Sequence, residues 1–218
     1  MSKSLKTILL FSIMFLFSFA LMACSETNGL ILLERAASQS IEVSDSLDEV
    51  DDSDLSDAAI DDLGVELSSS SIMNLSLNED LTPYEKIVEI RRLHTLIVEI
   101  HFDIVDERDQ TRIAFETLRT SIASARENSI ILSDEDKVQV EQWVTELKEI
   151  RTELQATIGL AYAQMRDLRG TYTLENLDHI LSTHQDVLDV LNLRLEKIQR
   201  THEILAAAND LLLTYLEP

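Results

Sequence analysis

The sequence predicts an all-α fold: an elongated, antiparallel, coiled-coil-like three-helix bundle over residues 81–218, behind an acidic tether at 24–80 and a leader at 1–23. Three observations carry this. Positions 177, 181, 184, 188, 191, 195, 198, 202, 205, 209, 212 and 216 alternate steps of four and three, and nine of the twelve are Leu or Ile. A repeat of 3.5 residues keeps one stripe turned toward neighbouring helices. Gly occurs four times and Pro twice in 218 residues, which leaves little material for tight turns or phosphate-cradling loops. Acidic charge is concentrated before residue 81, so one segment reads as solvated chain and another as packed body.

The leader comes first. Lys3 and Lys6 precede an apolar run at 8–20, which ends in Leu21-Met22-Ala23-Cys24. The run is too short for a comfortable membrane span and has the layout of a secretion signal. Cys24 is the sole cysteine, so no intramolecular disulfide competes for it. Here the chain resembles bacterial lipoproteins, whose lipobox places a branched aliphatic, a small residue and Ala or Gly before the cysteine that is lipidated. Leu21, Ala23 and Cys24 match, while Met22 is bulkier than that pattern. The resemblance implies that Cys24 becomes the acylated N-terminus of the mature chain, its membrane partner being reached through lipid. It also implies an extracytoplasmic body anchored to a bacterial membrane, either the cell membrane or an outer membrane. Two or more acyl chains anchor stably where one does not.

Residues 25–80 contain fifteen acidic side chains against Arg35 alone, are rich in Ser and lack aromatics. Such a segment buries too little apolar surface to offset ordering entropy, so a disordered tether is expected, with a helical turn or two near 29–35. Self-repulsion would extend it and hold the body tens of ångströms off the bilayer. Asp51, Asp52, Asp54 and Asp57 invite a calcium reading, but the turn glycine and closing Glu of an EF-hand loop are missing.

The first bundle helix is expected to start at Thr82-Pro83, with Thr82 as cap and Glu85 closing a capping box. Its stripe runs Ile90, Leu93, Ile97, Ile100, Ile104, then meets Glu107, Thr111 and Ser121; Phe115, Leu118 and Ile122 suggest a stutter. Asn128 is the expected left-handed stop. Ser133 caps the second helix, whose first turn holds Asp134, Glu135 and Asp136. Its stripe, Val140, Val144, Leu147, Arg151, Leu154, Ile158, Ala161, Met165 and Leu168, predicts one uninterrupted helix to Arg169-Gly170. Thr171 or Thr173 should cap the third. Ideal lengths are roughly 65, 50 and 65 Å. Unmatched ends carrying Leu212 and Leu216 would suit a protein partner or homodimer along helix faces.

A net charge of −22 argues against nucleic-acid binding, which draws affinity from clustered Lys and Arg. No metalloprotease, nucleophile-elbow, phosphate-loop or cysteine-cluster motif occurs, so an enzyme is not expected and no cofactor is implied. The polar interruptions of the last stripe, His184, His202 and Asn209, are the candidate polar-core or ligand positions. The ordinary reading of the two histidines is a hydrogen bond to a carboxylate on a facing helix; metal or ligand binding in the bundle interior is the alternative. Trp143 reads as a core or groove anchor.

The preferred function is a non-catalytic, lipid-anchored helical module that binds another protein, with acidic charge steering it toward basic partners. The openings Leu81-Thr82-Pro83-Tyr84-Glu85 and Leu132-Ser133-Asp134-Glu135-Asp136 resemble the Leu-Thr-x-x-Gln repeats of periplasmic stress chaperones of the Spy and CpxP type, with Glu85 and Asp136 in place of Gln. That resemblance implies an envelope-stress chaperone as the runner-up.

Overall fold

A computed structural model describes residues 28–47, 81–168 and 171–216. All the regular structure in them is helical: α1 (Asn28–Asp45), α2 (Pro83–Glu127), α3 (Asp134–Thr157), α4 (Leu160–Leu168), a 3₁₀ turn (Leu174–Asn176) and α5 (Leu177–Leu216). The all-α expectation holds. None of these helices is long and apolar enough to cross a membrane. Leu21, Met22, Ala23, Cys24 and the aspartates from Asp51 to Asp57 lie outside the described residues, as do Arg169 and Gly170.

The bundle has four arms, which corrects the three-helix expectation. Residues 28–45, expected within the tether, form a helix whose Leu30, Leu33, Ala37, Ser40 and Ser44, followed by Leu47, are all buried. Those six positions keep three-four spacing, with small residues at the centre. Small side chains let α1 approach closely, and the Ser40 hydroxyl lies 3.1 Å from the Leu147 carbonyl of α3 and 3.0 Å from the Ala36 carbonyl of its own helix. On the other side, α1 meets arginines of α2: Glu34 pairs with Arg126 at 2.9 Å, and Asp45 with Arg112 at 2.9 Å. Part of the acidity that reads as self-repelling chain is thus matched by cations on α2.

Cross-helix pairs fix the directions. Lys86 meets Asp178 and Ser121 meets Asn209, so α2 and α5 run parallel. Glu153 with Lys197 and Glu146 with Arg200 set α3 antiparallel to α5. Glu34 with Arg126 and Asp45 with Arg112 set α1 antiparallel to α2. At 45 and 40 residues, α2 and α5 extend about 68 and 60 Å.

The capping box forms as expected, with the Glu85 amide donating to Thr82 Oγ1 and the Thr82 amide donating to the Glu85 carboxylate. Ser133 caps α3, accepting from the Asp136 amide. Other local expectations need correction. Asn128 is not left-handed; Ser129, one residue on, takes φ 53°. Neither Thr171 nor Thr173 caps α5: the Thr171 hydroxyl donates to the Leu168 carbonyl, and Thr173 precedes the 3₁₀ turn without a side-chain cap. The expected stutter in α2 is absent, since Ile104, Thr111, Leu118 and Ala125 are all buried at strict seven-residue spacing. Thr111 can occupy that line because its hydroxyl donates to the Glu107 carbonyl at 2.7 Å.

The expected single helix over 134–168 breaks. Gly159 adopts φ 77°, Ile158 is turned out to solvent, and Thr157 takes the buried place expected for Ile158. A left-handed residue cannot continue a right-handed helix, so the arm restarts at Leu160 as α4.

Candidate functional site

The polar residues of α5 are set by the helices that surround it. Its most buried line is Leu177, Ile180, His184, Val187, Leu191, Arg194, Ile198, Thr201, Leu205, Ala208 and Leu212, again in strict three-four steps. This line shares every seventh residue with the expected one and differs at the residues between. Leu181, Leu195, His202, Asn209 and Leu216 are half-buried flanks, because α5 packs against α2 on one side and α3 and α4 on the other. The stripe is therefore wider than a two-helix seam.

His184 is fully buried. Its Nδ1 lies 2.9 Å from the Ile180 carbonyl, the geometry of an Nδ1–H donor. Its ring faces His94 of α2 at a centroid separation of 5.9 Å and the edge of Tyr172 at 6.3 Å. Nε2 has no hydrogen-bond partner among the described residues. Burial pushes the imidazole down to about 4, with the neighbouring His94 adding to the effect and the Ile180 carbonyl opposing it. At neutral pH it is an uncharged core group. Burial also pushes the Tyr172 phenol up.

His202 and Asn209 stand elsewhere. They follow His184 by 18 and 25 residues on one straight helix, or about 27 and 37 Å, so the three do not form one site. His202 Nδ1 lies 2.6 Å from Glu107 Oε1, and Asn209 Oδ1 accepts from the Ser121 hydroxyl at 2.7 Å. The histidine–carboxylate pair expected for both histidines is thus present for His202, while His184 has a backbone carbonyl and a second imidazole instead. No group of three or more His, Cys, Asp or Glu that could hold a metal ion occurs among the described residues.

Arg194, and not Leu195 of the expected stripe, lies on the buried line of α5. The residue is 2% exposed and its guanidinium sits at the break between α3 and α4, with Nε donating to Thr157 Oγ1 at 3.1 Å and Nη2 to the Thr157 carbonyl. It thereby satisfies a carbonyl that the broken helix leaves open, at the negative end of the α3 dipole. The sequence signal was an arginine one step from Leu195 beside a Thr-Ile-Gly break on the antiparallel partner.

A groove of about 450 Å³ runs between α3 and α5, lined by Glu146, Glu149, Ile150, Glu153, Glu196, Lys197, Gln199, Arg200 and Glu203. Arg200 bridges Glu146 at 2.6 Å and Glu203 at 2.7 Å, and Lys197 bridges Glu153 at 2.8 Å and Glu196 at 3.3 Å. The Arg200 hydrogen bonds hold Glu146 below its ordinary pKa, and the Glu153 hydrogen bond raises Lys197. Five carboxylates against two cations leave the groove acidic. Its exposed ion pairs are weak enough to exchange with arriving guanidinium or ammonium groups. Trp143 stands on α3, half-buried and packed against the core.

Compared with known protein families, curated proteins and solved structures, the chain finds no match in any of the three.

Proposed function

We propose that this chain is a bacterial lipoprotein, anchored through Cys24 on the extracytoplasmic face of a membrane, and that its helical body is a non-catalytic module binding basic segments of other proteins. The observation that carries the reading is the leader: two lysines, an apolar run and Leu21-Met22-Ala23-Cys24 with the chain's sole cysteine. The body supports it through the acidic α3–α5 groove, where cationic side chains can replace Lys197 and Arg200 as partners of Glu146, Glu153, Glu196 and Glu203. The acidic run at 48–80 then joins α1 to α2 rather than lipid to bundle.

The test has two arms. Growth with an alkyne fatty acid should label the wild-type chain and place it in the membrane fraction, and Cys24→Ala should lose both properties. A photoreactive residue at Glu149 should then crosslink a partner, with capture falling on reversal of Glu146, Glu153 and Glu196 to Lys. Labelling that survives Cys24→Ala rejects the anchor; capture unaffected by charge reversal rejects the groove.

A second reading, suppression of client aggregation, draws on Phe102 and Ile113. Both are exposed on α2, and eleven residues is close to three turns, so they share a face. A body that leaves a reduced, unfolding client to aggregate at several-fold excess rejects it.

A further inference from the structure

The helix α1 changes where the body must sit. Cys24 precedes Asn28 by four residues, which span at most about 14 Å of extended chain. From Leu30 to Leu47 the chain is packed against the bundle, so the slack expected from a tether is not available between anchor and body. Which end of the bundle lies near the anchor is fixed by contacts. Gly29 stands beside the first turns of α3, with Val140 Cγ1 3.7 Å from where a β-carbon on Gly29 would be. The Tyr215 hydroxyl accepts from the Ser133 amide at 3.0 Å, and Glu34 meets Arg126. The start of α1, the α2–α3 loop, the start of α3 and the end of α5 therefore share one end.

That end carries exposed apolar side chains among its acids. Ile131 in the loop is 63% exposed and Val138 on α3 is 54% exposed, with Leu32 on α1 and Leu213 on α5 also open to solvent. Glu127, Asp134 and Glu135 are exposed beside them. Carboxylates that stay hydrated allow contact at headgroup level and oppose entry into hydrocarbon.

We propose that this end of the bundle rests on the bilayer that carries the anchor, with Ile131 and Val138 at the headgroup boundary and the long axis directed away from the surface. The inference rests on the lipidation of Cys24. A surface held within some 14 Å is met at high effective concentration, so a small apolar patch suffices to dock there. The opposite end, with Tyr84 and Leu174, lies about 60 Å away along α2 and α5 and is left facing outward. The acidic groove is then displayed along the stalk.

The experiment uses full-length protein purified from the membranes of a producing bacterium, in which lipidation consumes the Cys24 thiol. Ile131→Cys, Val138→Cys, Tyr84→Cys and Leu174→Cys each carry one fluorophore, in vesicles of phosphatidylethanolamine and phosphatidylglycerol containing a headgroup spin-labelled lipid. Quenching at 131 and 138 should exceed that at 84 and 174 by roughly threefold or more, as expected for a headgroup-level contact. Equal quenching at all four sites overturns the orientation. Energy transfer between copies labelled at 131, without lipid quenching, also overturns it and assigns the end to a second copy. The mass of the N-terminal peptide separates the two claims: an acylated chain with unquenched labels defeats the orientation alone, and an unacylated chain defeats both.

Discussion

His184 of α5 and His94 of α2 face each other inside the bundle with ring centroids 5.9 Å apart, both almost wholly withheld from solvent. A proton on the buried His184 ring is poorly tolerated, so this residue makes stability depend on pH.

His184 is held down to about 4 by burial, while the unfolded chain protonates near 6.5. Stability from this group is therefore complete above pH 6.5 and is lost as the pH falls from there toward 4. The loss between pH 7 and pH 5 should be about 2 kcal/mol. The groups around the ring are His94 and Tyr172. His184→Met should flatten the pH dependence by that amount, measured as urea unfolding free energy across this window. An unchanged slope would show that His184 keeps its ordinary pKa.

Arg194 and Thr157 should behave as a unit. Arg194→Ala removes hydrogen bonds from a buried guanidinium and opens a void, for an expected loss of about 3 kcal/mol. Thr157→Val removes the hydroxyl, which accepts from Arg194 Nε and donates to the Leu154 carbonyl, and should cost about 1 kcal/mol. The double variant should lose less than the sum by about 1 kcal/mol. Denaturant unfolding of the four species checks this, and strict additivity would separate the two residues.

Gly159→Ala isolates the backbone at the α3–α4 break. Among the described residues no atom beyond the chain neighbours of Gly159 lies within 4 Å of the added β-carbon, so the cost comes from φ 77°. It should be about 1 kcal/mol, with Gly159→Asn costing less because Asn tolerates this region.

Much of this fold is legible in the sequence, and the exceptions have physical causes. The arms built from α2, α3 with α4, and α5 follow from three-four spacing and from caps at Thr82 and Ser133. The helix α1 was hidden by averaging: fifteen acids over 25–80 swamp a short frame whose centre is Ala37, Ser40 and Ser44 rather than Leu. The arginines Arg108, Arg112, Arg119 and Arg126 on α2 were the complementary signal, legible only once α1 is placed against them. In α5, periodicity cannot choose between neighbours such as Ile180 and Leu181 when both are apolar. The outcome goes both ways where one neighbour is polar: Arg194 is buried in place of Leu195, and Ala208 in place of Asn209. The break at Gly159 was masked because Ala161, Met165 and Leu168 keep the frame after it.

Membership of α1 in the core has its own test. Leu33 is fully buried and Leu32, one residue earlier, is 47% exposed. Leu33→Ala should cost about 3 kcal/mol and Leu32→Ala close to zero. Equal, small effects in thermal or denaturant unfolding would return this segment to the tether.

The anchor is tested most directly by the mass of the N-terminal peptide of the mature protein, taken from the membranes of a producing bacterium. The account predicts a chain that begins at Cys24 and carries acyl groups there. A chain beginning at Met1, or one with a free thiol at Cys24, would contradict it.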